Sequence, residues 1–122
     1  MADWHNQPFA LVFPGQGAQF VGMGSELSAA SPVAAEAIEE ANTVLGFDLK
    51  SLMASGPADA LEDTFNAQPA ILAVSIAAWR AVQARRESDF KPALVAGHSL
   101  GEFSALVAAG AITYPDALRL VR

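Results

Sequence analysis

The stretch "ALVAGHSLGEFSALVAAG", Ala93–Gly110, decides how the rest of this chain is read. Ser99 stands in the order Gly97-His98-Ser99-Leu100-Gly101, which is the pattern G-x-S-x-G. An apolar run, Ala93–Gly97, precedes it and reads as a strand. A run with apolar residues Phe103, Leu106 and Val107 and then Gly110, three or four apart, follows and reads as a helix. A serine on a tight strand-to-helix turn has its hydroxyl thrust outward. Small residues two positions to either side let strand and helix approach without Cβ clashes. The N-terminus of the following helix adds free N–H groups and partial positive charge, so the Leu100 N–H is placed to donate to an oxyanion. A serine N-cap between two glycines would use the same residues. The strand before and the helix after favour the nucleophile.

A nucleophilic serine needs a proton acceptor. His98 is the neighbour in sequence, but adjacent side chains leaving a strand diverge, so it is not expected to serve as the base. A hydrogen-bonding or pocket-lining role suits it better. His5 lies in a polar N-terminal segment and reads as solvated. Two histidines without a clear third ligand do not make a metal site, and none is expected. Glu102, in the first turn of the helix, suits the helix dipole.

Outward from the serine, "FALVF" (Phe9–Phe13) is a second apolar run, ended by Pro14-Gly15. It reads as a buried parallel-type strand, apolar on both faces. "PGQGAQFVGMG" after it is a glycine-rich loop. It is not a dinucleotide fingerprint, because Phe20 occupies the third glycine position, nor a Walker A loop, because Met23 stands where lysine is required. It is a loop at the C-terminal end of a strand, the edge where open α/β sheets bind ligands. If the two strands are neighbours, it faces Ser99 and the N–H of Gln16 can complete an oxyanion hole. An ordinary turn explains the loop alone equally well.

Between the strands, "SPVAAEAIEEANTVLG" predicts a helix capped by Ser31, with Pro32 at its first position and Gly46 as its stop. Ile38, Ala41, Val44 and Leu45 form its apolar stripe. "FDLKSLMASGPADALEDTF" predicts short helical pieces joined at Gly56-Pro57. A longer helix is expected from near Pro69 to near Arg85-Arg86, with Ile71, Val74, Ser75, Ala78, Trp79 and Val82 on one side. "TYPDALRLVR" opens a last helix with Thr113 and Asp116 at capping-box spacing. Alternating strand and helix gives an α/β class with a partial parallel sheet, rich in helices. Two strands make a marginal sheet, and the last helix reaches Arg122 in mid-pattern, so the chain reads as the first part of a larger core.

Composition bounds the function. The chain has 122 residues, 52% of them hydrophobic and 16% charged, so one packed domain is expected. The net charge of −6 argues against a broad nucleic-acid surface. There is no cysteine, which removes disulfides, thiolate metal sites and cysteine nucleophiles. The N-terminal run Phe9–Phe13 is too short for a signal h-region, no apolar stretch reaches about 18 residues without a charge or a breaker, and a soluble, cytoplasmic protein is expected.

Three separated motifs, "FPGQGAQ", "NAQPAIL" and "GHSLGE", in this order and spacing, resemble malonyl-CoA:acyl carrier protein transacylases and the related acyltransferase domains of polyketide and fatty-acid synthases. The resemblance covers essentially the whole chain. It implies the N-terminal portion (1–122) of the large acyltransferase subdomain, with an α/β-hydrolase-like core, and without the small ferredoxin-like subdomain and the C-terminal part. It implies a seryl-enzyme mechanism in fatty acid biosynthesis. Ser99 would carry the malonyl group, Gln16 and Leu100 would supply oxyanion-hole N–H groups, and Gln68 and His98 would line the pocket. A helix-end packing role for Gln68 is equally compatible. The substrates would be malonyl-CoA, a coenzyme A thioester, and phosphopantetheinylated acyl carrier protein, with no bound cofactor. The family's base histidine comes from a later segment, and its carboxylate-binding arginine falls past Arg122, so neither Arg119 nor Arg122 takes that role. The missing C-terminal part of the same enzyme is therefore an expected partner. Arg80, Arg85, Arg86 and Lys91 are a charge-based guess at a carrier-docking patch, although a solvated helix end explains them too. A serine esterase or thioesterase would explain "GHSLG" but not the other two motifs. A non-catalytic carrier-binding fragment would explain the missing base.

Overall fold

The computed structural model describes residues 7–86 and 90–122. Two strands, β1 (Ala10–Phe13) and β2 (Leu94–Gly97), pair in parallel with Phe13 opposite Gly97. Between them the chain forms α1 (Ser25–Ala30), α2 (Pro32–Leu45), α3 (Leu49–Ser55), α4 (Ala58–Glu62) and α5 (Thr64–Ala84). After β2 come α6 (Gly101–Ala108) and α7 (Tyr114–Val121). The class is α/β, as the alternation predicts, and helices dominate it.

The helix ends follow from local chemistry. Ser31 accepts a hydrogen bond from the Ala34 N–H with Pro32 in the first turn, and Gly46 closes α2 in the left-handed region at φ 72°. Asp48 caps α3 by accepting from the Ser51 N–H, and Thr113 caps α7 by accepting from the Asp116 N–H. A cis Gly56–Pro57 bond joins α3 to α4. The core lies between α2, α5 and α7, with Ile38, Leu49, Met53, Leu61, Ile71, Leu72, Ile76 and Leu118 almost wholly enclosed. Tyr114 fixes α7 to α2 by donating its hydroxyl to the Ala37 carbonyl at 2.9 Å. Burial, together with the nearby Glu40 carboxylate, pushes its phenol well above the ordinary tyrosine range.

Three expectations need correction, and the packing of α6 adds a detail. The long helix begins at Thr64, not near Pro69, because Asp63 caps it by accepting from the Phe65 N–H. Pro69 then sits inside the helix and removes the donor to the Phe65 carbonyl, a tolerable loss because Phe65 is 66% exposed. The stripe of α5 is also wider than predicted. Leu72, Ala73, Ile76 and Ala77 are buried beside Ile71, while Val82 is exposed, because α2 packs on one side of this helix and α6 and α7 on others. On α6 the buried residues are Gly101, Ser104 and Ala105, and Leu106 is exposed, because the small residues are what allow α6 to lie against the strands. Finally, β1 is not buried on both faces. Val12 is 70% exposed and Leu94 58%, on a sheet face that no described residue covers. The short helix α1 had no counterpart in the sequence reading.

Candidate functional site

Only His98, Ser99 and Leu100 separate β2 from α6. To reverse direction in so few residues, the backbone adopts a left-handed conformation at Ser99, with φ 53°, the sole non-glycine positive φ among the described residues. That conformation costs an L-residue about 1–2 kcal/mol. It persists because its neighbours are tied down. The His98 N–H donates to the Phe13 carbonyl at 3.1 Å, the Gly101 N–H to the His98 carbonyl at 2.9 Å, and the Glu102 N–H to the Ser99 carbonyl at 3.0 Å.

The glycines of the motif are required by close approach. A methyl at Gly97 would overlap the Gly101 carbonyl and the Glu102 N–H, and a methyl at Gly101 would overlap the Phe13 carbonyl oxygen. All these obstacles are backbone, so no side chain can swing away. The strand-to-helix turn therefore packs with nothing but hydrogen at both glycines. The Ser99 side chain is exposed, and the adjacent Leu100 is buried in the core and anchors the start of α6.

The Gln16 loop lies against this turn. A methyl at Gly15 would overlap the His98 carbonyl oxygen and come within 3.2 Å of the His98 ring Nδ1. Within the loop, the Ala18 N–H donates to the Gly15 carbonyl at 3.3 Å and the Gly17 N–H to the Gln19 Oε1 at 2.7 Å. The Gln16 N–H donates to no described group, and neither does the Leu100 N–H. Two uncommitted backbone donors are thus left, one on each of the two segments that pack together beside Ser99. The side chain of Gln16 runs to the start of α5, where its Nε2 donates to Thr64 Oγ1 at 3.1 Å. Gln68 lies one helical turn beyond Thr64, on the same face, and is half-buried. Thr64 was not a candidate from sequence, since 48 residues separate it from Gln16. Gln19 was visible in "FPGQGAQ", but nothing in the motif singled it out.

His98 is exposed and flanks Gly15, and no hydrogen bond connects Ser99 Oγ to it or to any other described side chain. His5 lies outside the described residues. Glu102 is exposed in the first turn of α6. Among the described residues no group of three or more metal-capable side chains converges. The basic residues do not gather at the serine. Arg80 pairs with Glu40 at 2.7 Å and lies over the Tyr114 ring. Arg85 and Arg86 follow the C-terminal end of α5, a helix spanning roughly 30 Å, whose other end carries Thr64. Lys91 precedes β2, whose far end leads to Ser99. Arg119 pairs with Asp116 at 3.2 Å, and Arg122 lies 3.9 Å over the Phe47 ring. Both are thus occupied by contacts of their own.

Residues 10–122 match the acyl transferase domain family. The chain is 52% identical over 113 residues to the malonyl CoA-acyl carrier protein transacylase of Salmonella typhimurium, and 50% identical to that of Escherichia coli. Each match covers 93% of this chain and 36% of the relative, so the chain spans about a third of the length of these proteins. Solved structures agree. An acyl carrier protein S-malonyltransferase from Vibrio cholerae superposes with a TM-score of 0.87 at 50% identity, over 93% of this chain and 36% of that one. A malonyl-transacylase in complex with a type II polyketide synthase acyl-carrier protein gives 0.88 at 50% identity, with the same coverage.

Proposed function

The chain belongs to the acyl transferase domain family, and from that premise we propose that it carries the nucleophile and oxyanion hole of a malonyl-CoA:acyl carrier protein transacylase. The observation that carries this reading is the exposed, left-handed Ser99 on a turn against which the Gly15 loop packs, with the N–H groups of Gln16 and Leu100 uncommitted. The Ser99 hydroxyl attacks the thioester carbonyl carbon of malonyl-CoA and gives up its proton to a base. The carbonyl oxygen takes the negative charge, facing the two N–H groups, and returns to a carbonyl as the C–S bond breaks. Coenzyme A leaves as the thiol, taking the proton. In the second half, the phosphopantetheine thiol of the carrier protein attacks the seryl ester, and Ser99 regains its proton as it leaves. Each donor of this kind is worth about 2.7–4 kcal/mol in the transition state.

The fold reading that goes with this is the α/β-hydrolase-like elbow at the C-terminal edge of a parallel sheet, with residues 1–122 forming the N-terminal portion of the large subdomain. Gln68 and His98 line the pocket, Gln68 from the α5 face that also holds Thr64, and His98 beside Gly15. The base and the group that holds the malonyl carboxylate come from polypeptide other than the described residues. That agrees with a chain spanning 36% of its relatives' length. Transfer between soluble thioesters fits a cytoplasmic setting, and no described helix is long and apolar enough to cross a membrane. A serine esterase would use the same turn. The resemblance of the whole chain to transacylases at about half identity favours transfer over hydrolysis.

The test is a covalent adduct. Native protein incubated with malonyl-CoA is expected to gain one malonyl group by intact mass, located at Ser99 by peptide mapping, and Ser99→Ala is expected to gain none. An adduct that survives in Ser99→Ala removes Ser99 from the reaction.

A further inference from the structure

We propose that Gln19 and Thr64 form a two-point clamp that aims the Gln16 N–H, which makes both of them positioning residues for acyl transfer at Ser99. The proposal rests on the reading of Ser99 as nucleophile.

The peptide that carries the Gln16 N–H is held differently on its two sides. On the Gly15 side packing does the work, because the Gly15 Cα presses on the His98 carbonyl so closely that no Cβ fits. On the Gly17 side packing is absent. Gly17 has φ 110°, and a methyl built there meets nothing within 4 Å. A glycine in open space is free to rotate, and a donor beside it loses its direction unless something else holds the chain. Two hydrogen bonds do so. Gln19 Oε1 takes the Gly17 N–H at 2.7 Å, which fixes the peptide after Gln16. Gln16 Nε2 reaches Thr64 Oγ1 at 3.1 Å, which fixes the Gln16 Cα through its own side chain. Thr64 is a rigid anchor. It is the first residue of α5, whose following turns, Ala67 and Pro69–Ala73, are buried, and Asp63 caps that helix.

The bonds also explain which donor is left over. Of the successive N–H groups of Gln16, Gly17 and Ala18, the second is spent on Gln19 and the third on the Gly15 carbonyl. Only the first remains to meet negative charge. Because catalytic donors act through preorganisation, loosening one without removing it lowers the rate while leaving ground-state binding in place.

The experiment uses the native polypeptide carrying residues 1–122, with malonyl-CoA as substrate and release of the coenzyme A thiol in a single turnover as the readout. Thr64→Val removes the acceptor at nearly constant shape, and Gln19→Met removes the other at nearly constant length. Each is expected to lower the acylation rate about tenfold, the scale of one hydrogen bond, with the malonyl-CoA concentration at half-maximal rate unchanged. Thr64→Ser and Gln19→Glu keep the accepting oxygens and are expected to recover most of the rate. Unaltered rates in Thr64→Val and Gln19→Met, a loss confined to apparent affinity, or no recovery in the conservative variants overturns the clamp. If Thr64→Val fails to fold by circular dichroism, the Gln19 pair decides alone. Absence of a Ser99 adduct in the unaltered protein refutes the acyl-transfer reading instead, which is visible before any variant is made.

Discussion

Ser99→Gly is expected to make the protein more stable than Ser99→Ala while both abolish the malonyl adduct. The reasoning starts from φ 53° at Ser99. Any residue with a Cβ is strained there by about 1–2 kcal/mol, and alanine keeps the Cβ. Glycine relieves the strain but enlarges the conformational freedom of the unfolded chain, which costs about 0.5–1 kcal/mol. The difference leaves Ser99→Gly ahead of Ser99→Ala by about 0–1.5 kcal/mol, about 0.75 kcal/mol at the midpoints. Unfolding entropy scales at roughly 2.1 cal/mol/K per residue, so for a cooperative unit of this size the midpoint advantage reads as about 3 °C in Tm. The exposed serine hydroxyl makes no hydrogen bond to a described group, so its removal does not confuse the comparison. The assay is thermal unfolding of the two variants side by side, with intact mass after malonyl-CoA as the functional control. If Ser99→Gly melts below Ser99→Ala, the strain assigned to the turn is absent and the geometric case for a nucleophile elbow fails.

Gly101→Ala is expected to destabilise by about 3 kcal/mol, at the upper end of overpacking costs, because its methyl runs into the Phe13 and Pro14 backbone. Gly110→Ala is the control. Its methyl meets nothing, but φ 75° leaves a strain of about 1 kcal/mol, so differential scanning calorimetry should separate the two melts by several degrees. Tyr114 predicts a dependence on pH. Its phenol titrates above the ordinary range in the folded state, so above pH ~10 the unfolded chain releases a proton that the native one keeps. Stability from Tyr114 is therefore complete below that pH and falls above it, by up to about 1.4 kcal/mol per pH unit. Urea melts from pH 8 to 11 should show this extra slope, and Tyr114→Phe, the chain's one tyrosine replaced, should lack it.

The parts of the fold that were legible are those written in local chemistry. Ser31-Pro32 opens α2, Gly46 ends it, and Thr113 caps α7, each through a bond between residues close in sequence. The turn at Ser99 was legible for the same reason, since Gly97 and Gly101 bracket it within five residues. What stayed hidden depends on partners far along the chain. Pro69 looked like a helix start because a proline at the first position is favourable there. The actual start at Thr64 is set by Asp63 and by burial against α2. The spacing of Phe103, Leu106 and Val107 marked α6 as a helix, and Phe103 and Val107 do pack against the core, but the side that meets the strands is small, which leaves Leu106 outside. At the candidate site, Ser99, Gln16 and Leu100 were named from the motifs, but Thr64 was not, because its contact with Gln16 crosses 48 residues and has no periodic signature.

The same division explains where the site's precision comes from. The Ser99 turn contains almost no side-chain packing of its own, since two of its five residues are glycines and Ser99 is exposed. Its geometry is imposed from three directions. β1 supplies the Phe13 carbonyl that holds the His98 N–H, Leu100 plants the start of α6 in the core, and Gly15 lays the second donor segment against the His98 carbonyl. Two of these constraints come from elements anchored by apolar burial, through Phe13 and Leu100. A loss of core packing would therefore reach the serine as misaligned donors before it reached it as unfolding. A destabilising change that touches neither Ser99 nor Gln16 should lower the acylation rate at temperatures where the protein is still folded.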